Sequence, residues 1–305
     1  MDRWPARGRQ VRERLGSTLF SRVAGPSGPA NRARIHTTPG PRWFGPERPI
    51  RTVHADASMF VGGLSALLLQ SLHPLAMAAV AAHSGFRGDP WGRLQRTSTF
   101  LAVTTYGTAQ DAQLAVDRVR AVHQAVRGTT AAGEHYHAAD PHLLGWVHAA
   151  EVDCFLRAHQ RFGEHPLDGA GYDAYVADTA RVGTALGVLD PPRDRAALTA
   201  LLSEYRPELR ATPEALEAAR FILRRPPLTG FARAPYMLLG ANAVALLPPW
   251  APALLGLHPA AGAAAACVLL SGHALIRTIR WAMPPPPESP ADQGTSLPRP
   301  GPHMS

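Results

Sequence analysis

The chain of 305 residues contains no lysine, so all 31 of its basic residues are arginines. That absence removes Schiff-base catalysis, which needs a deprotonable amine, and the P-loop type of phosphate site, which needs its lysine. Cysteine is nearly missing as well. Cys154 and Cys267 lie far apart within apolar runs, which leaves neither a disulfide framework nor a CxxC metal site and fits a reducing, cytoplasmic compartment. No HExxH zinc helix, GxSxG nucleophile elbow, GxGxxG turn or EF-hand loop occurs, so hydrolase and dinucleotide-binding readings lose most of their support. The start Met1-Asp2-Arg3-Trp4 runs on into scattered arginines rather than the apolar stretch of a secretory signal, and no export is expected.

What is abundant is unevenly spread. The net charge of +8 resides in residues 1–51, where 11 arginines face only Asp2, Glu13 and Glu47, while residues 52–305 hold 20 charges of each sign. A basic arm on a neutral body predicts no specific nucleic-acid partner. The arm reads as a solvated tail, with contact to anionic lipid as the alternative. Many of the 30 prolines crowd the two ends, which divides the chain into a Pro/Arg-rich tail over 1–45, a folded domain over 46–283 and a Pro-rich tail over 284–305.

Within the domain, apolar residues recur at helical spacing through Phe60–Gln70, Pro74–His83, Arg93–Tyr106, Asp111–Val126, Leu143–Phe162, Tyr172–Leu186, Arg195–Tyr205, Pro213–Leu223 and Pro235–Leu247. Strand-like alternation is scarce, and the fold class predicted is all-α, a single helical domain. Pro74, Pro141 and Pro213 stand where helices begin, and Gly85, Gly107, Gly128 and Gly187 where they end. Pro259–Ile276 is apolar enough to approach a membrane span, but its alanines, glycines and His273 favour a buried core helix; peripheral membrane contact is the alternative.

The 14 histidines are where chemistry concentrates. His123 shares a helical stripe with Val116, Val119 and Val126. It is either a hydrogen-bonded core histidine or a neutral imidazole presented to a metal. His148 has Glu151 one turn later, a carboxylate able to hold or charge the imidazole, or simply a helix-surface neighbour. Arg93, Thr97 and Phe100 share one face with Arg96 beside them, suited to a buried anion or to a solvated helix start. Glu134-His135-Tyr136-His137 with Asp140 and His142 has the content of a zinc site but no standard spacing.

The run Leu67-Leu68-Leu69-Gln70, His73-Pro74, His83-Ser84, Phe86, Asp89-Pro90, Arg93 and Arg96-Thr97 resembles the first signature of the rubber-oxygenase/MpaB family. Val119-Arg120, His123 and Val126-Arg127-Gly128 follow in the family order. So do Tyr136, Ala138, Pro141, Leu143-Leu144 and Trp146-Val147-His148. The resemblance, over roughly residues 45–283, implies a globin-like helical core, haem b with its iron, and dioxygen chemistry on an apolar, isoprenoid or lipid-like substrate. It gives His123 the role of proximal iron ligand and metal site. It places Arg93, Arg96 and Thr97 at the cofactor, with Arg93, Thr97, His148 and Glu151 as catalytic candidates. One departure stands out. Rubber-cleaving members carry a lysine able to occupy the distal iron position where this chain has Arg96, whose guanidinium stays protonated and cannot ligate. The alternatives to an oxygenase are a haem-binding sensor without turnover and a haem-free, membrane-associated helical protein.

Overall fold

Helix punctuation explains most of the architecture in the computed structural model, which describes residues 6–83, 88–226, 228 and 230–283. Ser84, Gly85 and Phe86, and the Pro-rich stretch 284–305, lie outside the described residues. In chain order the helices are α1 (Ala6–Ala24), α2 (Gly28–Thr37), α3 (Pro49–Ala55), α4 (Met59–Gln70), α5 (Pro74–His83), α6 (Pro90–Tyr106) and α7 (Ala109–Ala125). A two-stranded antiparallel hairpin follows, β1 (Arg127–Thr129) with β2 (His135–His137), pairing Gly128 with Tyr136. Then come α8 (Pro141–Phe162), α9 (Gly169–Leu186), α10 (Arg195–Glu204), α11 (Pro213–Arg224), α12 (Arg233–Leu246), α13 (Ala251–Leu254) and α14 (Gly262–Ala282).

The nine helices read from periodicity are present, each end within three residues of its expected place. Their starts are chemically marked. Pro74, Pro90, Pro141 and Pro213 open helices where a missing N–H costs no hydrogen bond, and the side chains of Thr108, Asp140, Asp168, Asp194 and Thr212 each accept from a first-turn N–H. Gly187 ends α9 at φ 109°, a left-handed position that a side chain would strain.

Helix α8 is the spine. Trp146, Ala149, Ala150, Leu156 and Ala158 are fully buried along it, and α4 lies against it so closely that a Cβ on Gly62 would meet the Phe155 ring at 3.1 Å and the Ala158 methyl at 3.2 Å. Helix α12 joins this pair through Ser65 Oγ, which donates to the Ala243 carbonyl at 2.8 Å. Arg280 of α14 donates to Asp56 at 2.8–3.1 Å and to the Phe162 carbonyl at 2.9 Å, tying the last helix to the turn before α4 and the end of α8.

Three features depart from the sequence expectations. Much of the basic arm is helical: α1 and α2 pack on α6, with Arg12 donating to the Trp281 carbonyl at 2.9 Å and Arg34 pairing with Asp111 at 2.9 Å. These helices dock through arginine side chains to carbonyls and carboxylates and through isolated apolar anchors, Leu19 and Ile35, too few to give a helical periodicity. Gly128 lies in β1 and ends no helix. The apolar segment near the end is not a buried core helix, because it starts at Gly262 and buries only Gly272, Ile276, Ile279 and Ala282. Its first half faces outward with Leu270 at 67% exposure, and the helix of 21 residues is long and apolar enough to cross a bilayer.

Candidate active site

Helix α7 presents a stripe that passes from buried Ala112 and Val116 through half-buried Val119 to half-buried His123. The stripe expected from the sequence is therefore real, and His123 sits at its solvent-side end. Burial lowers the imidazole pKa below its ordinary value, which keeps the ring neutral at pH 7, and its Nδ1 is enclosed without a hydrogen-bond partner. Next to the ring is a cleft of about 180 Å³, lined by His123 and Arg120 of α7, Pro141 and Leu144 of α8, and Leu186 and Gly187 at the end of α9. Arg120 bridges two walls by donating to the Ala185 carbonyl at 3.2 Å.

Helix α6 packs beside α7 and carries the arginine segment. Arg93 is half-buried, and burial, assisted by the charge of Arg96, lowers its guanidinium pKa. Arg96 and Thr97 are exposed, and Arg96 pairs with Asp89 at 3.3 Å. The structure thus separates the three: one cation turned partly inward, and a rim of two polar side chains.

His148 and Glu151 of α8 lie elsewhere; both residues are half-buried, and His148 Nε2 is enclosed. A Cβ placed on Gly183 of α9 would come within 3.0–3.2 Å of three atoms of the His148 ring, so only glycine leaves the ring its space. Burial depresses the His148 pKa to about 4, and its Nε2 has no partner. Burial raises the Glu151 pKa to about 7 against a smaller lowering by the Gln70 amide. The imidazole–carboxylate contact that their spacing allowed does not form: the structure has no hydrogen bond or ion pair between them, and Nε2 stays unpaired. The same interior holds a group the sequence did not single out. His54 of α3 meets Thr105 Oγ1 through Nδ1 at 2.8 Å and the Tyr175 hydroxyl through Nε2 at 3.2 Å, its pKa pressed to about 3 by burial and then by the charge of His159.

The histidine-rich loop is dispersed. His135 and His137 lie in β2, where His135 Nδ1 meets Thr129 Oγ1 at 3.0 Å, and Glu134 pairs with Arg210 at 3.0 Å. Only His142 enters a ligand-like group, and its companions are His73 and Glu208, far away in sequence. No local spacing links these three, and Glu208 carries no sequence signal at all.

The chain matches, over residues 51–281, the family model described as ER-bound oxygenase mpaB/B'/rubber oxygenase, catalytic domain. It is also similar to the uncharacterised proteins Mb2261 of Mycobacterium bovis and Rv2237 of Mycobacterium tuberculosis, 39% identical to each over 110 residues, which is 35% of this chain and 43% of the relative. The match therefore spans less than half the length of these curated relatives. No solved structure matches the chain. Because the family model covers the helical domain from α3 to α14, with both α6 and α7 inside it, the chain belongs to the mpaB/rubber oxygenase catalytic-domain family.

Proposed function

We propose that this domain binds haem b through His123 and acts as an oxygenase, using dioxygen on an apolar, isoprenoid or lipid-like substrate. The observation that carries this reading is the state of His123: a neutral imidazole with one enclosed, unpartnered ring nitrogen at the edge of a cleft. A neutral imidazole beside open space is what would hold the haem iron. The donors on α6, the helix packed on α7, also suit the group. Arg93 would hold a propionate by a charge-assisted contact, and Arg96 and Thr97 would stand at the rim, where a guanidinium, always protonated, cannot serve as a metal ligand.

When bound, haem supplies the oxygen-activating chemistry, and the protein contributes ligation, polarity and access. The apolar side chains Leu144 and Leu186 exclude water from the cleft and favour a hydrocarbon. We assign His148 and Glu151 to the packed wall one turn along α8 from Leu144, rather than to substrate contact. The cleft of about 180 Å³ is smaller than the roughly 300–1,000 Å³ of pockets that enclose drug-sized ligands, so uptake of a macrocycle requires α7 to move away from α8 and α9. The Arg120–Ala185 bond is the contact that movement breaks.

Protein expressed with a haem precursor should show a Soret band and consume dioxygen when an isoprenoid oligomer is added. A Soret band without uptake would make it a sensor or carrier. A colourless protein would leave the haem-free reading, which the outward apolar half of α14 favours and which pelleting with lipid vesicles would test.

A further inference from the structure

Outside the residues of the haem reading, three segments distant in sequence bring two imidazoles and a carboxylate to one point. His73 ends the turn between α4 and α5, His142 is the second residue of α8, and Glu208 closes the 3-10 turn Arg206–Glu208. His142 Nε2 lies 2.9 Å from both carboxylate oxygens of Glu208, and His73 Nε2 lies 3.3 Å from one of them. Their ligand atoms are all within 4.8 Å of one another.

The frame around them is rigid. The Tyr205 hydroxyl donates to the His142 carbonyl at 2.7 Å, His142 N–H donates to Asp140 at 2.9 Å, and Arg210 N–H donates to the Leu72 carbonyl at 2.9 Å, which joins the Glu208 loop to the His73 turn. The indole of Trp146 donates to the Gln70 carbonyl at 3.1 Å just behind His73. The nearby cations are engaged elsewhere: Arg210 pairs with Glu134, and Arg206 lies over the Trp250 ring at 4.2 Å. Glu208 is therefore left to the two imidazoles.

We propose that His73, His142 and Glu208 form a second metal site, one that binds a zinc-class divalent cation with a coordination position open to solvent. Two neutral imidazoles and one carboxylate are a donor set that zinc and iron(II) both accept. With bonds of about 2.0–2.2 Å, tetrahedral donors stand roughly 3.4 Å apart, so the present contacts of 2.9 and 3.3 Å need only a slight spreading to admit an ion. Exposure is divided in the way an open site requires. His73 is buried and fixes one ligand, whereas the side chains of His142 and Glu208 are 53% and 43% exposed.

Buried His73 presents Nε2 to the Glu208 carboxylate at 3.3 Å, a fixed donor at the inner side of the cluster. Its Nδ1 is enclosed without a partner, so ligation through Nε2 places a proton on an unsatisfied nitrogen; the site is accordingly an exchangeable one. This inference does not depend on haem, because iron in haem and a second metal are counted separately.

The test is equilibrium dialysis of the full chain against zinc, followed by elemental analysis. The comparison set is wild type, His142→Ala, Glu208→Gln and His135→Ala, the last an exposed histidine of the hairpin outside the cluster. Wild type and His135→Ala should each retain one zinc per chain, and the two cluster variants should bind at least tenfold more weakly. Both altered side chains are partly exposed, and far-ultraviolet circular dichroism checks that the fold persists. X-ray absorption at the zinc edge of wild type should show nitrogen and oxygen neighbours at about 2.0–2.2 Å without sulfur. No retained zinc in wild type, undiminished zinc in both cluster variants, or a sulfur ligand would each overturn the proposal.

Discussion

His123 and His148 stand on adjoining helices around the end of α9, and they show how differently one residue type is used within a short distance. At Leu144 and Gly187, α8 and α9 part to leave the cleft beside His123. One turn forward along α8 and one turn back along α9, at His148 and Gly183, they approach so closely that a Cβ on Gly183 would lie 3.0–3.2 Å from the imidazole ring. Both rings are kept neutral by burial, and both have an enclosed, unpartnered nitrogen. Neutrality and an orphan nitrogen are common to the two; what differs is the space beside the ring, a cleft next to His123 and the close backbone of Gly183 next to His148.

The closely packed region should respond to loss of packing more than to anything else. Phe155→Ala removes a buried ring that meets His54 edge-on and faces Gly62, and it should cost about 3–5 kcal/mol, read from the denaturation midpoint. An equal cost from His123→Ala would erase the contrast between core and cleft.

Next in size is a pH effect confined to the packed side. Glu151 has its native pKa raised from 4.5 to about 7, so the stability it contributes is present below pH 4.5 and is lost as pH rises through about 7. Glu151→Gln should therefore gain on wild type by about 3 kcal/mol as pH goes from about 5 to about 8. His54 and His148 act in the opposite sense. Their native values of about 3 and about 4 give stability present above 6.5 and lost as pH falls, and this is shared by both proteins and cancels in the difference. A gap between wild type and variant that does not change with pH would show that the carboxyl is not enclosed as described.

Helices and caps were legible because they are local: Thr212-Pro213 and the stripe ending at His123 can be read from neighbours in sequence. What stayed hidden depends on long-range approach. The closeness of Gly183 to His148, the cluster of His73, His142 and Glu208, and the docking of α1 through Arg12 each join residues far apart along the chain, without apolar periodicity to announce them. The site was half legible for the same reason. Periodicity placed the His123 stripe on α7, whereas the His148–Glu151 contact that their spacing allowed is not made, Glu151 interacting with Gln70 instead.

The cleft side should respond in binding rather than in stability. Arg93→Ala should weaken haem retention by about 1.5–3 kcal/mol, measured by transfer to a haem acceptor, while exposed Arg118→Ala on α7 leaves it unchanged. Equal retention in the two variants would remove Arg93 from the cofactor.

The most direct measurement is the absorption spectrum of His123→Ala after expression with a haem precursor, beside His148→Ala prepared in the same way. His123→Ala should lose the native Soret and ligand-field bands with far-ultraviolet helicity intact, whereas His148→Ala should keep them. A wild-type spectrum in His123→Ala, with haem lost instead from His148→Ala, would contradict the assignment of His123 and move the iron to the packed side of α8.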